Sequence, residues 1–318
     1  MGPSGEQVVV LIPTYQRKEQ CAEAVKSVLG GTVQPSEILV IDDGSTDGTA
    51  SYVEQLGDAV RVVVREENRG VASARNQGIL ASSQPWIALL DSDDRWTAEH
   101  LERLLEHLRR FPDLRIAQTR EKWFRGGLRV NQKRRHAPPE GDIFLPSLGL
   151  CLVSSSAVIV HRDVFEHVGH YDERMPVCED YDLWLRIACY YHFGLADVES
   201  VVKDGGREDQ LSRRYWGMDR FRVFSLAKLL LSGLRSEHRE EMRRCALEKL
   251  KILRQGAEKR EKRGDVLAYD GWIAVLSASQ SVDDGLRQLL NGDSGKDPVL
   301  SVLNSVETGK KSRKDVTG

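Results

Sequence analysis

WIALLDSDDRW, residues 86–96, decides the fold. Its five leading apolar residues are too few for a buried helix and read as a short buried strand, with Asp91, Asp93 and Asp94 beyond its carboxyl end. The pattern recurs upstream, where apolar runs at 8–12, 38–41 and 60–64 are closed by PTYQR, DDGSTDGT and EENRG. Ala22, Val25, Val28 and Leu29 recur at helical spacing between the runs, as do Leu101, Leu104, Leu105 and Leu108 after the fourth. Strands alternating with amphipathic helices predict an α/β fold around a mostly parallel sheet. In such sheets ligands bind beyond the carboxyl ends of the strands, so the four polar clusters are expected to converge on one crevice.

Composition narrows the setting. The 318 residues are 40% hydrophobic and 30% charged, with a net charge of −2. That balance fills a core and argues against disorder and against a uniformly basic surface, so no nucleic-acid partner is expected. The opening MGPSGEQ has no cationic segment followed by an apolar run, and no apolar stretch approaches the roughly 20 residues that span a bilayer. Cys21, Cys151, Cys178, Cys189 and Cys245 are scattered without CxxC spacing, against a disulfide framework or a zinc site. A cytoplasmic protein is expected.

Three regions are predicted: an α/β domain over 1–205, a helical appendage over 206–291 and a disordered polar tail over 292–318. Residues 121–145, with Gly126, Gly127 and a KRRH run, read as a long irregular excursion, and SSSAVIV at 154–160 as a returning strand. Trp184, Ile187, Ala188 and Tyr191 mark a helix beginning near Asp180. Helical breaks are expected at Gly233, Gly264 and Gly292. Between 203 and 264 there are 18 Lys and Arg against 10 Asp and Glu. This excess suits either a solvated bundle or peripheral contact with the inner membrane face.

Two carboxylates at i and i+2 after a buried strand share a face and can reach one hard divalent cation, Mn²⁺ or Mg²⁺, whose remaining shell comes from water and phosphate oxygens. The alternative is that these acids cap the following helix. Asp43, Ser45, Asp47, Gly48 and Glu54 match the spacing of an EF-hand loop, but the preceding SEILVI reads as a strand, not the required entering helix. Asp43 at a strand end suits a ribose hydroxyl or base N–H instead, and an Asx turn opening a helix at Asp47 explains the segment equally. NRGVASARNQG at 68–78 can offer backbone N–H groups and guanidinium to phosphate, or simply pack a helix. CEDYDLW at 178–184 places three carboxylates in a first helical turn, favourable for the helix dipole and suited to a general base.

Taken in order, PTY at 13–15, LVIDDGSTDGT at 39–49, NRGVASARNQGI at 68–79, LLDSDD at 89–94 and EDYDLWLR at 179–186 resemble the inverting family 2 glycosyltransferases. The resemblance covers residues 7–204 and implies the GT-A nucleotide-diphospho-sugar transferase fold, a Rossmann-like mixed sheet. It implies that Pro13, Tyr15 and Asp43 hold base and ribose, that Arg69 and Gly70 lie near the nucleotide, and that Asp91 with Asp93 serve ribose and metal. Asp180 matches the catalytic base, with Glu179 beside it, Asp182 as the alternative and Trp184 near the acceptor. The implied reaction is inverting transfer from a nucleotide-diphospho-sugar, UDP favoured, to a saccharide or lipid-linked acceptor. Processive members carry QxxRW and membrane helices, whereas QLSRR stands at 210–214, which disfavours processive synthesis. Gln210, Arg213 and Trp216 are candidates to close over the diphosphate, and a helix start explains them as well.

Two other readings stand beside this one. A sugar nucleotidyltransferase also uses paired carboxylates and Mg²⁺, but no Gly-rich triphosphate loop with Arg and Lys adjoins the first strand. A catalytically inactive docking protein would keep the pocket as a vestige, against which stand the intact carboxylates of DSDD and EDYD.

Overall fold

The computed structural model of the chain describes residues 2–205, 215, 217–278 and 282–290. These form two compact units. Gln210, Arg213, Trp216, Gly292 and the polar tail lie outside the described residues.

The first unit, which takes in 1–146, 150–171 and 190–207, is built on one mixed sheet. Strands β1 (Val8–Thr14), β2 (Glu37–Asp42), β3 (Val60–Val64) and β4 (Trp86–Leu89) are the expected parallel set, linked by α1 (Lys18–Leu29), α2 (Thr49–Glu54) and α3 (Val71–Ala81). The strand before DDGSTDGT is therefore present, as the argument against a calcium loop requires. There follow β5 (Asp94–Trp96), α4 (His100–Arg110), β6 (Ile116–Arg125), β7 (Leu128–Val130), the short α5 (Phe144–Ser147), β8 (Val158–His161), α6 (Arg162–Val168) and β9 (Gly194–Gly205). Strand order is β3-β2-β1-β4-β8-β6-β9-β5, with β7 pairing β6.

Alternation along β1 sets the layers. Val8, Val10 and Ile12 pack with Val25 and Val28 of α1 and Leu101, Leu104, Leu105 and Leu108 of α4 in one buried cluster. Leu11 faces the other way, toward α3, where a Cβ on Gly78 would lie 2.0 Å from Leu11 Cδ1. The glycine is what lets this helix approach the sheet. Gly78→Ala is expected to overpack the contact by about 1–3 kcal/mol and lower Tm by several degrees in a thermal melt; trimming Leu11 to Val should return most of that loss.

Two expectations are corrected. Residues 121–145 are not wholly irregular: β6 runs through Arg125 and turns over Gly126-Gly127 into β7, and its polar residues are half-buried and matched across strands, as Arg120 with Asp197 and Glu121 with Lys203. The segment 154–160 yields a strand only from Val158, because Ser155–Ala157 forms a 3₁₀ turn.

β4 and β5 are separated by four residues, yet β8, β6 and β9 lie between them in the sheet. In a flat sheet that would be about 19 Å. Asp94 N–H instead donates to Asp91 O at 3.0 Å, a tight turn. The sheet is therefore curled, and the DSDD turn closes the curl.

The second unit takes in 147–149, 172–189 and the chain from 208. It contains α7 (Glu179–Ala188), α8 (Asp219–Ser232), α9 (Arg239–Lys259), α10 (Arg263–Ser277) and α11 (Val282–Leu290). Gly233 closes α8 in the left-handed region at φ +70°, as expected, whereas the next break falls at 260–262 and Gly264 lies inside α10. Many of the cations counted in this region are engaged within the unit. Arg239 pairs with Asp283, Arg254 with Asp270, and buried Lys249 reaches Asp219 at 3.1 Å. No described helix is long and apolar enough to cross a membrane, and all five cysteines are free thiols.

Candidate active site

The carboxyl ends of β1, β2 and β4 are neighbours in the curled sheet, so the loops after them meet. Pro13 is buried near the end of β1 and Tyr15, just beyond, is 42% exposed. Gln16 takes φ +52°, uncommon for a residue with a side chain. It is latched there: Gln16 N–H donates to Ser45 Oγ at 2.8 Å, its amide to Thr46 Oγ1 at 2.9 Å, and Lys18 N–H to Asp47 Oδ2 at 3.2 Å. Asp47 also accepts from Thr49 N–H at 3.0 Å, the Asx turn that opens α2.

Asp43 is 3% exposed. Its carboxylate accepts from Gly70 N–H at 2.8 Å and Arg69 N–H at 3.1 Å and pairs with Arg65 at 3.0 Å. Burial raises this carboxyl above its usual range despite these partners. The side chain thus fastens β2 to the loop before α3, and Gly70, at φ +91°, gives that loop the turn that starts the helix. Arg69 projects outward beside Glu67. Of the residues expected at the nucleotide, Tyr15 and Arg69 are open to a ligand, while Pro13 and Asp43 are buried beneath them.

Asp91 and Asp93 stand at the first and third positions of the DSDD turn, so they share a turn and not a strand face. They do not cap α4, because β5 intervenes. Each has an arginine: Arg75 Nη2 lies 2.7 Å from Asp91 Oδ1, and Arg17 Nη1 lies 2.9 Å from Asp93 Oδ2. Burial works to raise the Asp91 pKa, but the charges of Arg75 and Lys203 outweigh it and hold this carboxyl below its usual range. Asp94 faces inward, accepts from Ser156 Oγ at 2.5 Å and lies 3.2 Å from Lys203 Nζ, which lies 3.2 Å from Glu121 too. Burial pushes Asp94 up to about 7. Lys203, flanked by both acids, keeps its proton well past the usual lysine range although desolvation opposes the charge.

The donor set fits a particular kind of cation. Among the described residues no group of three or more His, Cys, Asp or Glu is arranged to hold a metal. Asp91 and Asp93 supply hard oxygens of the sort Mg²⁺ or Mn²⁺ takes one or two at a time, with water and phosphate completing the shell. They suit an ion shared with substrate, not one caged by protein.

Glu179, Asp180 and Trp184 belong to the other compact unit, on α7. Asp180 Oδ1 accepts from Tyr181 N–H at 2.7 Å in the first turn, where the helix dipole favours negative charge. Glu179 is 6% exposed. Asp182, the alternative base, is 2% exposed and committed to Arg186 at 3.0 Å and Lys228 at 2.8 Å. Trp184 is 2% exposed, so its indole is packed where contact with an acceptor was expected.

Sequence reasoning did not name Arg17, Arg75, Ser156, Glu121 or Lys203. For Arg17 and Arg75 a signal existed, since each is a cation inside a strand-end cluster; Lys203 lies on β9, a strand with no clean alternation.

Residues 9–169 match the profile of glycosyl transferase family 2. The putative teichuronic acid biosynthesis glycosyltransferase TuaG of Bacillus subtilis is 36% identical over 104 residues, 32% of this chain and 41% of that protein. The UDP-Glc:alpha-D-GlcNAc-diphosphoundecaprenol beta-1,3-glucosyltransferase WfgD of Escherichia coli is 36% identical over 96 residues, 30% of this chain and 38% of that protein. The chain thus spans about two fifths of the length of each of these relatives. Its fold is shared with residues 1–349 of S. aureus TarS, crystallised with UDP-GlcNAc, at a TM-score of 0.69 and 18% identity over 94% of this chain and 90% of that one.

Proposed function

The chain belongs to glycosyl transferase family 2, and from that premise we propose that it moves a sugar from a nucleotide-diphospho-sugar, UDP favoured, to a hydroxyl of a saccharide or lipid-linked acceptor in cell-surface polysaccharide or glycolipid synthesis. The observation that carries this reading is the DSDD turn at the carboxyl end of β4, with two carboxylates facing Arg75 and Arg17 beside the exposed Tyr15. Names of the relatives point the same way: WfgD is called a UDP-Glc transferase and TarS was crystallised with UDP-GlcNAc.

Tyr15 and Arg69 line the nucleotide side, and Asp43 holds the loop of Arg69 in place. Asp91 and Asp93 would hold Mn²⁺ or Mg²⁺, which supplies charge neutralisation for the diphosphate leaving group. Asp180, in the first turn of α7, takes the proton of the acceptor hydroxyl as that oxygen attacks the anomeric carbon. Glu179 supports it, and Trp184 shapes the acceptor side by packing. A single displacement inverts the anomeric centre, and one sugar is added per encounter. Peripheral contact with an anionic membrane, which would bring a lipid-linked acceptor close, would rest on exposed cations such as Lys251 and Lys259.

A thermal-shift screen of nucleoside diphosphates and nucleotide-sugars with and without Mn²⁺ tests this. A ligand at a hundred times its Kd adds about 2.7 kcal/mol, so a UDP-sugar with Mn²⁺ should raise Tm clearly, and Asp93→Ala should remove the part that depends on Mn²⁺. Turnover should release UDP; pyrophosphate would identify a nucleotidyltransferase, and no shift with any nucleotide would end the transferase reading.

A further inference from the structure

We propose that Arg17 is a built-in counter-cation of the DSDD turn, paired with Asp93 and passing to the donor's diphosphate when a divalent cation takes the carboxylate. This deepens the reading above and rests on it. Arg17 Nη1 lies 2.9 Å from Asp93 Oδ2, with the two side chains 18% and 17% exposed. A divalent cation on that oxygen would set like charges a few ångströms apart in a partly desolvated place, so one of them has to leave. The arriving diphosphate offers the anionic oxygens a guanidinium binds best.

Arg75 is not equivalent. Its side chain is 5% exposed, fixed on Asp91 and stacked 5.3 Å from the centre of the Tyr171 ring. The Arg17 side chain instead keeps 18% exposure, on a backbone that does not need to move. Gln16 before it and Lys18 after it are both tied to the 45–47 loop, so the exchange is a swing of one side chain on a fixed base. The φ of +52° at Gln16 is a strained conformation maintained by those bonds. Its effect is to aim the next residue at the neighbouring strand's loop.

The two halves of the proposal have opposite signs in one experiment. Isothermal titration of the full chain with MnCl₂ alone should show Arg17→Ala binding the ion more tightly than wild type, by roughly threefold to tenfold, as a lost ion pair of this exposure predicts. With Mn²⁺ saturating, the same variant should bind UDP more weakly, by roughly tenfold. Arg103→Ala, which removes an exposed guanidinium paired with Glu106 on α4, should leave both titrations unchanged. Unchanged or weakened Mn²⁺ binding in Arg17→Ala overturns the proposal, and so does an equal gain in Arg103→Ala. A wild-type chain that binds neither Mn²⁺ nor UDP overturns the transferase reading itself, and this inference with it.

Discussion

Replacing Asp180 by Asn is expected to cut transfer by about 10²–10⁴-fold, the usual size of a general-base contribution, while UDP affinity stays within about twofold. The substitution keeps the shape and the acceptor oxygen that receives Tyr181 N–H at 2.7 Å, so the start of α7 survives. What is lost is the carboxylate that takes the acceptor's proton. Release of UDP under saturating donor and acceptor, alongside titration with UDP and Mn²⁺, separates the two quantities. Equal loss of turnover and nucleotide affinity, or turnover near wild type, would remove Asp180 from the role of base. Asp182 is not expected to substitute for it, since that carboxylate is shielded and bound to Lys228 and Arg186.

Lys203→Met should have the largest effect on stability. Lys203 stands between Asp94 and Glu121, whose side chains are 7% and 11% exposed, and no other cation is within ion-pair distance of either acid among the described pairs. Removing one partner from such a group typically costs 3–5 kcal/mol; Lys203 retains 26% exposure, so the lower end, roughly 3 kcal/mol, is expected. For a protein of this size that is a fall in Tm of roughly 6–12 °C. The diagnostic comparison is the triple variant Lys203→Met, Asp94→Asn, Glu121→Gln, which removes all three charges and should recover most of the loss. If the single variant melts within 2 °C of wild type, using about 2–4 °C per kcal/mol as the yardstick, the network is not a stability element.

Legibility in the sequence followed burial. β1, β2, β3 and β4 are apolar runs closed by polar clusters, and that contrast is visible in one dimension. β6 and β9 are not, because each is half-buried and its charges are matched across strands: Arg129 meets Glu199 and Glu121 meets Lys203 only once the strands pair. At the site, the sequence supplied the carboxylates but not their partners. Asp43 reads as a ligand to nucleotide because a strand-end carboxylate is a good one; only the fold shows that its oxygens also meet Arg65 and the backbone of Arg69 and Gly70. Asp180 and Asp182 are two residues apart on one helix, and the choice between them rests on Lys228, 46 positions further along the chain.

The curl closed by the DSDD turn also sets an order of events during synthesis. β5 is anchored by antiparallel pairing to β9, Asp94 opposite Lys203, across more than a hundred residues. A ribosome that has released only β1 to β4 has therefore produced the nucleotide-side loops without the strand that secures their carboxylates. Pairing at such separation is slow to nucleate because loop closure precedes any gain. The emerging chain holds its three aspartates on an unsecured turn until β9 arrives.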